Sequence, residues 1–282
     1  MQIKQFKYPA EQSDPPLSAQ ETLPTMYDLP SEDPEEPGLP DEFHYLQPPL
    51  LSLTFRPPNY QPEEVFSAGD MNLYYDVHRH SRYKRPDWFA VVGVSRLYQQ
   101  KDLRLSYVMW QEMVRPFVVV ELLSPGTEKE DLGLTERLDS QPPTKWQVYE
   151  QIVAVPYYIV FDRYTDELKA YALTAGSYQE LDVSESKIWM PQLELGLGLW
   201  SGEYDGISRK WLRWYDAEGN WILTPSEELE AERERAAVVR EELETEQQRA
   251  AVVQEELEAE RSRSQRLSEL LRSQGIDPDS IT

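Results

Sequence analysis

The feature that most constrains the fold is a nearly continuous apolar run, Phe117–Leu123, which contains a single carboxylate, Glu121. A strand with one solvated face alternates apolar and polar residues, whereas a strand covered on both faces is apolar throughout. We therefore expect a central strand with other elements packed on both faces. An ionised glutamate there costs several kcal/mol unless it is paired. Glu121 is thus a candidate functional residue, and the alternative is a structural ion pair with an arginine such as Arg115.

Other short β-branched or aromatic runs, separated by turn residues, predict further strands. They are Trp88–Val94, Leu105–Trp110, Pro156–Asp162, Leu168–Leu173, Trp211–Tyr215 and Asn220–Leu223, with residues 216–219 as a hairpin turn between the last two. Thr144, followed three residues later by Gln147, has the pattern of a capping box and predicts a helix to about Val153. Many strands and one well-defined helix indicate an α/β or α+β domain over residues 50–225.

The charge of the chain, −23 in total, is concentrated in its two ends. Residues 8–49 contain ten acidic residues and ten prolines but no lysine or arginine. We interpret residues 1–49 as an extended or disordered acidic arm, with local order near residues 43–46. It is either a plain solvated leader or a segment that masks a basic site. Because residues 50–225 carry only −7, the acidity opposes non-specific nucleic-acid binding by the whole chain without excluding a local site.

Residues 226–274 have the pattern of a charged heptad helix. Thr224, Pro225 and Glu227 form a helix start, and Gly275 is expected to end the helix before a tail over 275–282. Apolar or small residues recur at every seventh position, at Leu229, Ala236, Leu243, Ala250, Leu257, Ser264 and Leu271. Glutamates interrupt the second seam, so the pattern is that of an imperfect coiled coil. A homo-oligomer through residues 226–272, a lone solvated helix and a back-folded hairpin all remain open.

Composition excludes several classes of chemistry. Without cysteine, the chain has no disulfide, no thiolate nucleophile and no cysteine-based zinc site, and three histidines leave little room for a zinc centre. No apolar run approaches the roughly 20 residues that span a bilayer, and the first residues lack the apolar core of a signal peptide. We expect a soluble, cytoplasmic protein with no membrane partner.

Two further residues combine with Glu121 into a possible site. Asp87 opens the strand Trp88–Val94, and Lys145 lies four residues before Tyr149 on one face of the predicted helix. Singly, such residues are usually a turn aspartate and a solvated lysine. Together, two carboxylates at the ends of adjacent strands form an oxygen-only pocket suited to Mg²⁺, and a nearby lysine can offset charge that develops on a phosphate.

A basic segment precedes Asp87. Residues 78–85 contain two histidines and four cations, Arg79, Arg82, Lys84 and Arg85. In an acidic protein this is either a local phosphate-binding patch or an ordinary polar loop. The two histidines could also bind a metal, although their spacing is a weak signal.

A set of spaced motifs resembles the Uma-two family of endonucleases, within the PD-(D/E)xK restriction-endonuclease-like superfamily. The motifs are Pro86-Asp87, Val120-Glu121-Leu122-Leu123-Ser124-Pro125-Gly126-Thr127, Asp131, Lys145-x-x-x-Tyr149 and Val155-Pro156-Tyr157-Tyr158-Ile159-Val160-Phe161-Asp162. The resemblance covers about residues 50–225. It implies a mixed β-sheet core flanked by helices and an Mg²⁺ or Mn²⁺ ion bound by Asp87 and Glu121.

The same resemblance implies DNA as the substrate, with Asp87, Glu121 and Lys145 as catalytic residues. Leu123 stands where the superfamily lysine is expected, so Lys145 would supply the ammonium group. The expected substrate-binding residues are Arg79, Arg82, Lys84, Arg85 and Tyr149.

The acidic arm takes the place of the family's usual N-terminal helix, which leaves Glu63 and Glu64 as candidates for an acid on that helix. The sequence therefore supports an Mg²⁺-dependent endonuclease. The alternatives are a non-catalytic coiled-coil assembly module and a degenerate nuclease fold that binds DNA without cutting it.

Overall fold

The computed structural model describes residues 41–79, 81–124, 128–135 and 141–275. The chain divides into two compact units, and the division in the sequence falls between Ile222 and Leu223. Most of the predicted acidic arm, His80, the Pro125–Thr127 part of the second motif and most of the predicted tail lie outside the described residues.

A six-stranded mixed sheet forms the centre of the first unit. In spatial order its strands are β1 (Val65–Gly69), β4 (Trp88–Val92), β6 (Val118–Leu122), β7 (Tyr157–Asp162), β8 (Glu167–Thr174) and β9 (Ser177–Glu180). Strands β6 and β7 are parallel, and the other neighbours are antiparallel. This mixed sheet, flanked by helices, confirms the predicted α/β, restriction-endonuclease-like class.

Two smaller sheets and four helices lie in the described part of the first unit. The second sheet contains β10 (Lys187–Met190), β11 (Leu195–Tyr204) and β12 (Ile207–Tyr215), and the third contains β3 (Tyr83–Lys84), β2 (Leu73–Tyr74) and β5 (Tyr107–Val108). The helices are α1 (Glu42–Thr54), α2 (Met109–Glu112), α3 (Glu128–Asp131) and α4 (Lys145–Gln147), which continues as a wider π-type turn over Val148–Ile152. A single 3₁₀ turn covers Pro62–Glu64.

Strand β6 is covered on both faces, as its apolar run predicts. All five of its residues are buried. Val118, Val120 and Leu122 belong to the core shared with α1 and the second sheet, whereas Val119 belongs to the core on the opposite face of the sheet. Glu121 follows Val119 in the alternation, so its side chain lies on that opposite face.

Helix α1 confirms the local order expected near residues 43–46 and corrects the expectation that the folded domain begins at residue 50. The Asp41 side chain accepts the His44 N–H at 3.1 Å and caps the helix. Leu50 and Leu51 are fully buried against the core. Burial of this apolar face outweighs the cost of two consecutive prolines, Pro48 and Pro49, which lack the N–H groups of an ordinary helix.

Helix α1 also corrects the expectation that the acidic arm takes the place of an N-terminal helix, because a helix is present at Glu42–Thr54. The Gln47 side chain bonds with both backbone groups of Leu212, at 2.8 and 2.9 Å, and so ties α1 to β12. Glu63 and Glu64, the candidate helix acids, instead lie exposed in the separate 3₁₀ turn.

Two predicted strands are shorter or absent in the structure. The segment Leu105–Trp110 contains only the two-residue strand β5 and then the first residues of α2. Asn220–Leu223 contributes a single bridge, Tyr215 with Trp221. The predicted turn over residues 216–219 is present, because the Asp216 carboxylate accepts the backbone N–H groups of Glu218 and Asn220. Apolar composition predicts burial of these segments. It does not predict the backbone hydrogen bonds to a neighbouring strand that a β-strand also requires.

The described part of the second unit contains one long helix, α5 (Pro225–Ser273). Its start is the predicted capping box, in which Thr224 and Glu227 bond reciprocally. Gly275, with φ of +78°, lies just beyond its end, in a conformation that favours glycine. None of the residues of α5 is buried. Among the described residues, no helix combines the length and apolar character needed to span a membrane.

Candidate active site

Glu121 is completely buried in β6, yet both of its carboxylate oxygens have hydrogen-bond donors. The Lys145 ammonium lies 2.9 Å from Oε2, and the Tyr149 hydroxyl donates to Oε1 at 2.8 Å. The backbone N–H of Asp87 reaches Oε2 at 3.4 Å. The Lys145 ammonium and the Asp87 N–H can only donate, so these two contacts favour the ionised form of Glu121.

Asp87 lies beside Glu121 because β4 and β6 are antiparallel neighbours with Trp88 opposite Val120. Its Oδ2 accepts the backbone N–H of Leu122 at 2.6 Å, while its Oδ1 bonds to none of the described residues. The side chain is partly buried. Asp87 and Glu121, 34 positions apart in the sequence, are therefore neighbours at the ends of β4 and β6, at one edge of the sheet.

Lys145 lies in the first turn of α4, downstream of its cap Thr144. The predicted capping box is confirmed, since Thr144 Oγ1 accepts the N–H of Gln147 at 3.1 Å and the Gln147 side chain accepts the N–H of Thr144 at 3.0 Å. This cap fixes the start of the helix, and the Lys145 side chain extends from there to the carboxylates. Its ammonium lies 2.9 Å from Glu121 and 2.9 Å from Asp131, and one fifth of its side chain remains exposed.

Asp131 is the fourth member of this cluster. The sequence pattern contains it, but nothing in the pattern assigns it a role. It ends the short helix α3, its side chain is 1% exposed, and the Lys145 ammonium is its ionic partner. The carbonyl of Asp131 accepts the Tyr158 hydroxyl at 2.8 Å, which fixes this segment to β7. We define Asp87, Glu121, Asp131 and Lys145 as the acidic cluster.

The acidic cluster has three carboxylates and one ammonium group in a buried place. Burial raises the pKa of Glu121 well above its usual range, although Lys145 acts in the opposite direction. Burial likewise raises the pKa of Asp87. For Lys145 burial lowers the pKa, but the charges of Glu121, Asp131 and Asp87 outweigh it and hold the pKa well above that of an ordinary lysine. The cluster has more negative charge than it neutralises, so an additional cation would stabilise it.

The donor atoms of the acidic cluster fit a hard divalent cation. Carboxylate oxygens are the ligands that Mg²⁺ prefers, and one or two of them, with water and substrate phosphate, make a typical Mg²⁺ site. Within the described residues, no group of three or more histidine, aspartate or glutamate side chains is arranged to hold an ion. Asp87 and Glu121 offer two carboxylates, the number that a typical Mg²⁺ site takes from the protein.

Tyr149 occupies a different place from the one expected of a substrate-binding residue. It is completely buried, and its hydroxyl group donates to Glu121. A residue with no exposed surface cannot contact a substrate without rearrangement. Its position therefore suits holding Glu121 in place and does not fit direct contact with DNA.

The basic segment upstream of Asp87 is partly neutralised. Lys84 pairs with Glu130 at 3.1 Å, and Arg85 pairs with Asp70. Arg79 is exposed and Arg82 is half-buried. Two of the four expected phosphate-binding cations thus have carboxylate partners in this structure.

His44 is a residue that the sequence gives no reason to select. It is 2% exposed, its Nε2 lies 3.0 Å from the carbonyl oxygen of Leu122, and its Nδ1 lies 2.9 Å from Asp41. Both partners are acceptors, so both ring nitrogens donate and the ring is an imidazolium. Burial lowers the pKa of His44, but Asp41, Asp87 and the Leu122 carbonyl outweigh it and raise the pKa above 6.5.

Comparison with protein families gives a match over most of the chain. The model of the Uma2 family, described as "Putative restriction endonuclease", matches residues 20–205, well over half of the chain. A search of curated proteins finds no match. The matched range contains every member of the acidic cluster.

Proposed function

The chain belongs to the Uma2 family of restriction-endonuclease-like proteins, and on this basis we propose that it is an Mg²⁺-dependent endonuclease that hydrolyses phosphodiester bonds of DNA. Mn²⁺ would be an alternative metal. The family supports a nuclease-like function and, with it, DNA as the substrate and a divalent metal as the cofactor.

The observation that carries the proposal is the convergence of Asp87 and Glu121 at one sheet edge, with Lys145 bound to Glu121. Asp87 and Glu121 would hold the cation through their carboxylate oxygens. Oδ1 of Asp87 suits this task because it bonds to none of the described residues. The chemistry that bound Mg²⁺ supplies is polarisation of the phosphodiester and a lowered pKa of a nearby water molecule.

Lys145 would act as a fixed positive charge. With two carboxylates 2.9 Å from its ammonium, the side chain stays protonated and is unsuited to be a general base. An ammonium group next to the phosphate offsets the negative charge that develops in the transition state. Tyr149 and Asp131 would be positioning residues, since they contact Glu121 and Lys145 rather than solvent.

The test is cleavage of supercoiled plasmid and of single-stranded DNA by the pure protein with Mg²⁺ or Mn²⁺. We expect activity in the wild type and a loss of about a hundredfold or more in Asp87→Asn and in Glu121→Gln, as when one electrostatic contribution to the transition state is removed. Lys101→Gln removes an exposed charge outside the acidic cluster and should keep full activity. Equal residual cleavage by the wild type and both site variants would reject the proposal.

The heptad pattern supports a second candidate, a non-catalytic assembly module. The seam leucines of α5 are about half exposed, for example Leu229 at 48% and Leu257 at 50%, and a partner helix would bury them. A related candidate is a nuclease fold that binds DNA without cutting it. Metal binding without cleavage would favour it over the endonuclease.

A further inference from the structure

Two arginines lie just beyond the sheet edge that carries Glu121. Strands β6 and β7 are parallel with Leu122 opposite Phe161, so Arg163, which directly follows β7, emerges at the same edge as the acidic cluster. Arg209 on β12 reaches this place as well, since its Nη2 donates to the Arg163 carbonyl at 3.3 Å. We define Arg163 and Arg209 as the arginine pair.

A short chain of contacts connects the arginine pair with the acidic cluster. Arg163 Nη2 lies 2.7 Å from Asp41, and Asp41 in turn contacts the His44 ring at 2.9 Å. The other ring nitrogen of His44 lies 3.0 Å from the carbonyl of Leu122, the residue after Glu121. The arginine pair therefore lies at the same edge of the central sheet as the acidic cluster, on the side of helix α1.

The arginine pair has more positive charge than its surroundings neutralise. Both guanidinium groups face the Phe43 ring, at 4.3 Å for Arg209 and 5.7 Å for Arg163. Arg209 has no carboxylate partner among the described residues, and Asp41 is shared between Arg163 and His44. The Nε of Arg163 is buried and, within the described chain, has no hydrogen-bond partner.

Two like charges at one ring repel each other, and among the described residues Asp41 is the only carboxylate that pairs directly with either guanidinium group. Burial and the charge of Arg163 lower the pKa of Arg209, although the charges of Asp166 and Asp41 act in the opposite direction. An anion bound between the two groups would remove the repulsion. Planar guanidinium groups bind phosphate through two parallel hydrogen bonds and are suited to nucleic-acid backbones.

We propose that the arginine pair binds backbone phosphates of a DNA strand that crosses the sheet edge beside the acidic cluster. This inference rests on the proposed endonuclease function and identifies residues outside the basic segment 78–85. Tyr164, 58% exposed with its ring 4.5 Å from the Arg163 guanidinium, offers a face on which a base of the same strand can stack.

The test is the affinity of the full chain for a fluorescein-labelled 20-nucleotide single strand and for the matching duplex. Binding is measured by fluorescence anisotropy over a range of KCl concentrations, with Ca²⁺ held constant as a cation that also takes carboxylate ligands. We expect Arg209→Gln to weaken binding about tenfold. It should also reduce the slope of log K against log salt by about 0.7 for the single strand or 0.9 for the duplex.

Three further variants separate a phosphate contact from a merely structural effect. Arg163→Gln/Arg209→Gln should reduce the slope by about twice as much as the single variant. Arg209→Lys keeps the charge and should keep most of the slope. Lys101→Gln removes an equal charge elsewhere and should leave both affinity and slope unchanged. Thermal unfolding of each variant shows whether the fold persists.

The outcomes distinguish this inference from the proposed function. An unchanged slope in Arg209→Gln overturns the inference, and so does an absence of DNA binding by the wild type. If Arg209→Gln keeps the wild-type slope while Asp87→Asn loses cleavage, the inference fails and the endonuclease stands. If the slopes change as expected but no variant or wild type cleaves DNA, the phosphate site stands and the endonuclease fails.

Discussion

The Lys145 ammonium lies 2.9 Å from Glu121 Oε2 and joins the first turn of a capped helix to the central strand of the sheet. This ion pair closes a buried cluster in which Asp131 is a second partner of the same lysine. Pairs of this kind contribute little net stability but are expensive to break, because the remaining charge has no partner. The predictions below follow from these contacts.

Replacing Lys145 by methionine should destabilise the protein by about 3 to 5 kcal/mol, because it leaves buried carboxylates without their cation. Urea denaturation at pH 7 measures this change. Lys101→Met, at an exposed position, is the matched control and should change stability by less than about 0.5 kcal/mol. Adding Glu121→Gln to Lys145→Met should recover part of the loss, since one unpaired charge is removed. A loss of under 1 kcal/mol in the single variant would contradict the ion pair.

Removing the Tyr149 hydroxyl group should cost about 1.5 to 3 kcal/mol, the range for a hydrogen bond to a charged group. The variant is Tyr149→Phe, which keeps the ring and its packing. Tyr171→Phe is the control, because Tyr171 lies in the same aromatic cluster and its hydroxyl has no partner among the described residues. Equal stability of the two variants in chemical denaturation would show that the bond to Glu121 does not stabilise the fold.

The His44 ring should contribute a pH-dependent part of the stability. Its folded pKa is raised above the unfolded value of 6.5, so its contribution is complete below pH 6.5 and is lost as the pH rises through the folded pKa. The stability difference between wild type and His44→Gln should therefore be larger at pH 6 than at pH 9, with the exposed His78→Gln as control. NMR titration of the three histidines gives the folded pKa directly. A difference that grows with pH would contradict the imidazolium assignment.

Deleting residues 223–282 tests the role of the heptad helix. If the seam of α5 pairs with a second copy, the full chain should be an oligomer in sedimentation equilibrium and the truncated chain a monomer. The truncation begins at the junction of the two compact units, so it leaves the first unit uncut. A monomeric full-length protein would remove the main support for the assembly module.

Local patterns in the sequence predict local structure well. The capping boxes at Thr144 and Thr224 are confirmed, because a cap involves residues only three positions apart. The apolar run of β6 predicts burial on both faces for a similar reason, because the polarity of each residue reflects whether its own side of the sheet is covered. The two prolines of α1 were a misleading signal, because tertiary burial of the helix outweighs their local cost.

The site itself could be predicted only in part. The motif spacing identifies Asp87, Glu121 and Lys145, and the structure brings all three together. The motif spacing does not identify His44 or the role of Asp131, because these residues reach the site through packing between elements far apart in the sequence. For Tyr149, the four-residue spacing from Lys145 correctly associates the residue with the site. Its complete burial could not be predicted, because burial depends on how the core packs.

The measurement that tests the central claim most directly is the anomalous signal of Mn²⁺ in crystals of the full chain soaked with the ion. The account predicts one peak within about 2.5 Å of carboxylate oxygens of both Asp87 and Glu121, and no such peak in Asp87→Asn. Wild-type crystals without an ion there, or with an ion bound only at unrelated residues, would contradict the claim that these two carboxylates form a metal site.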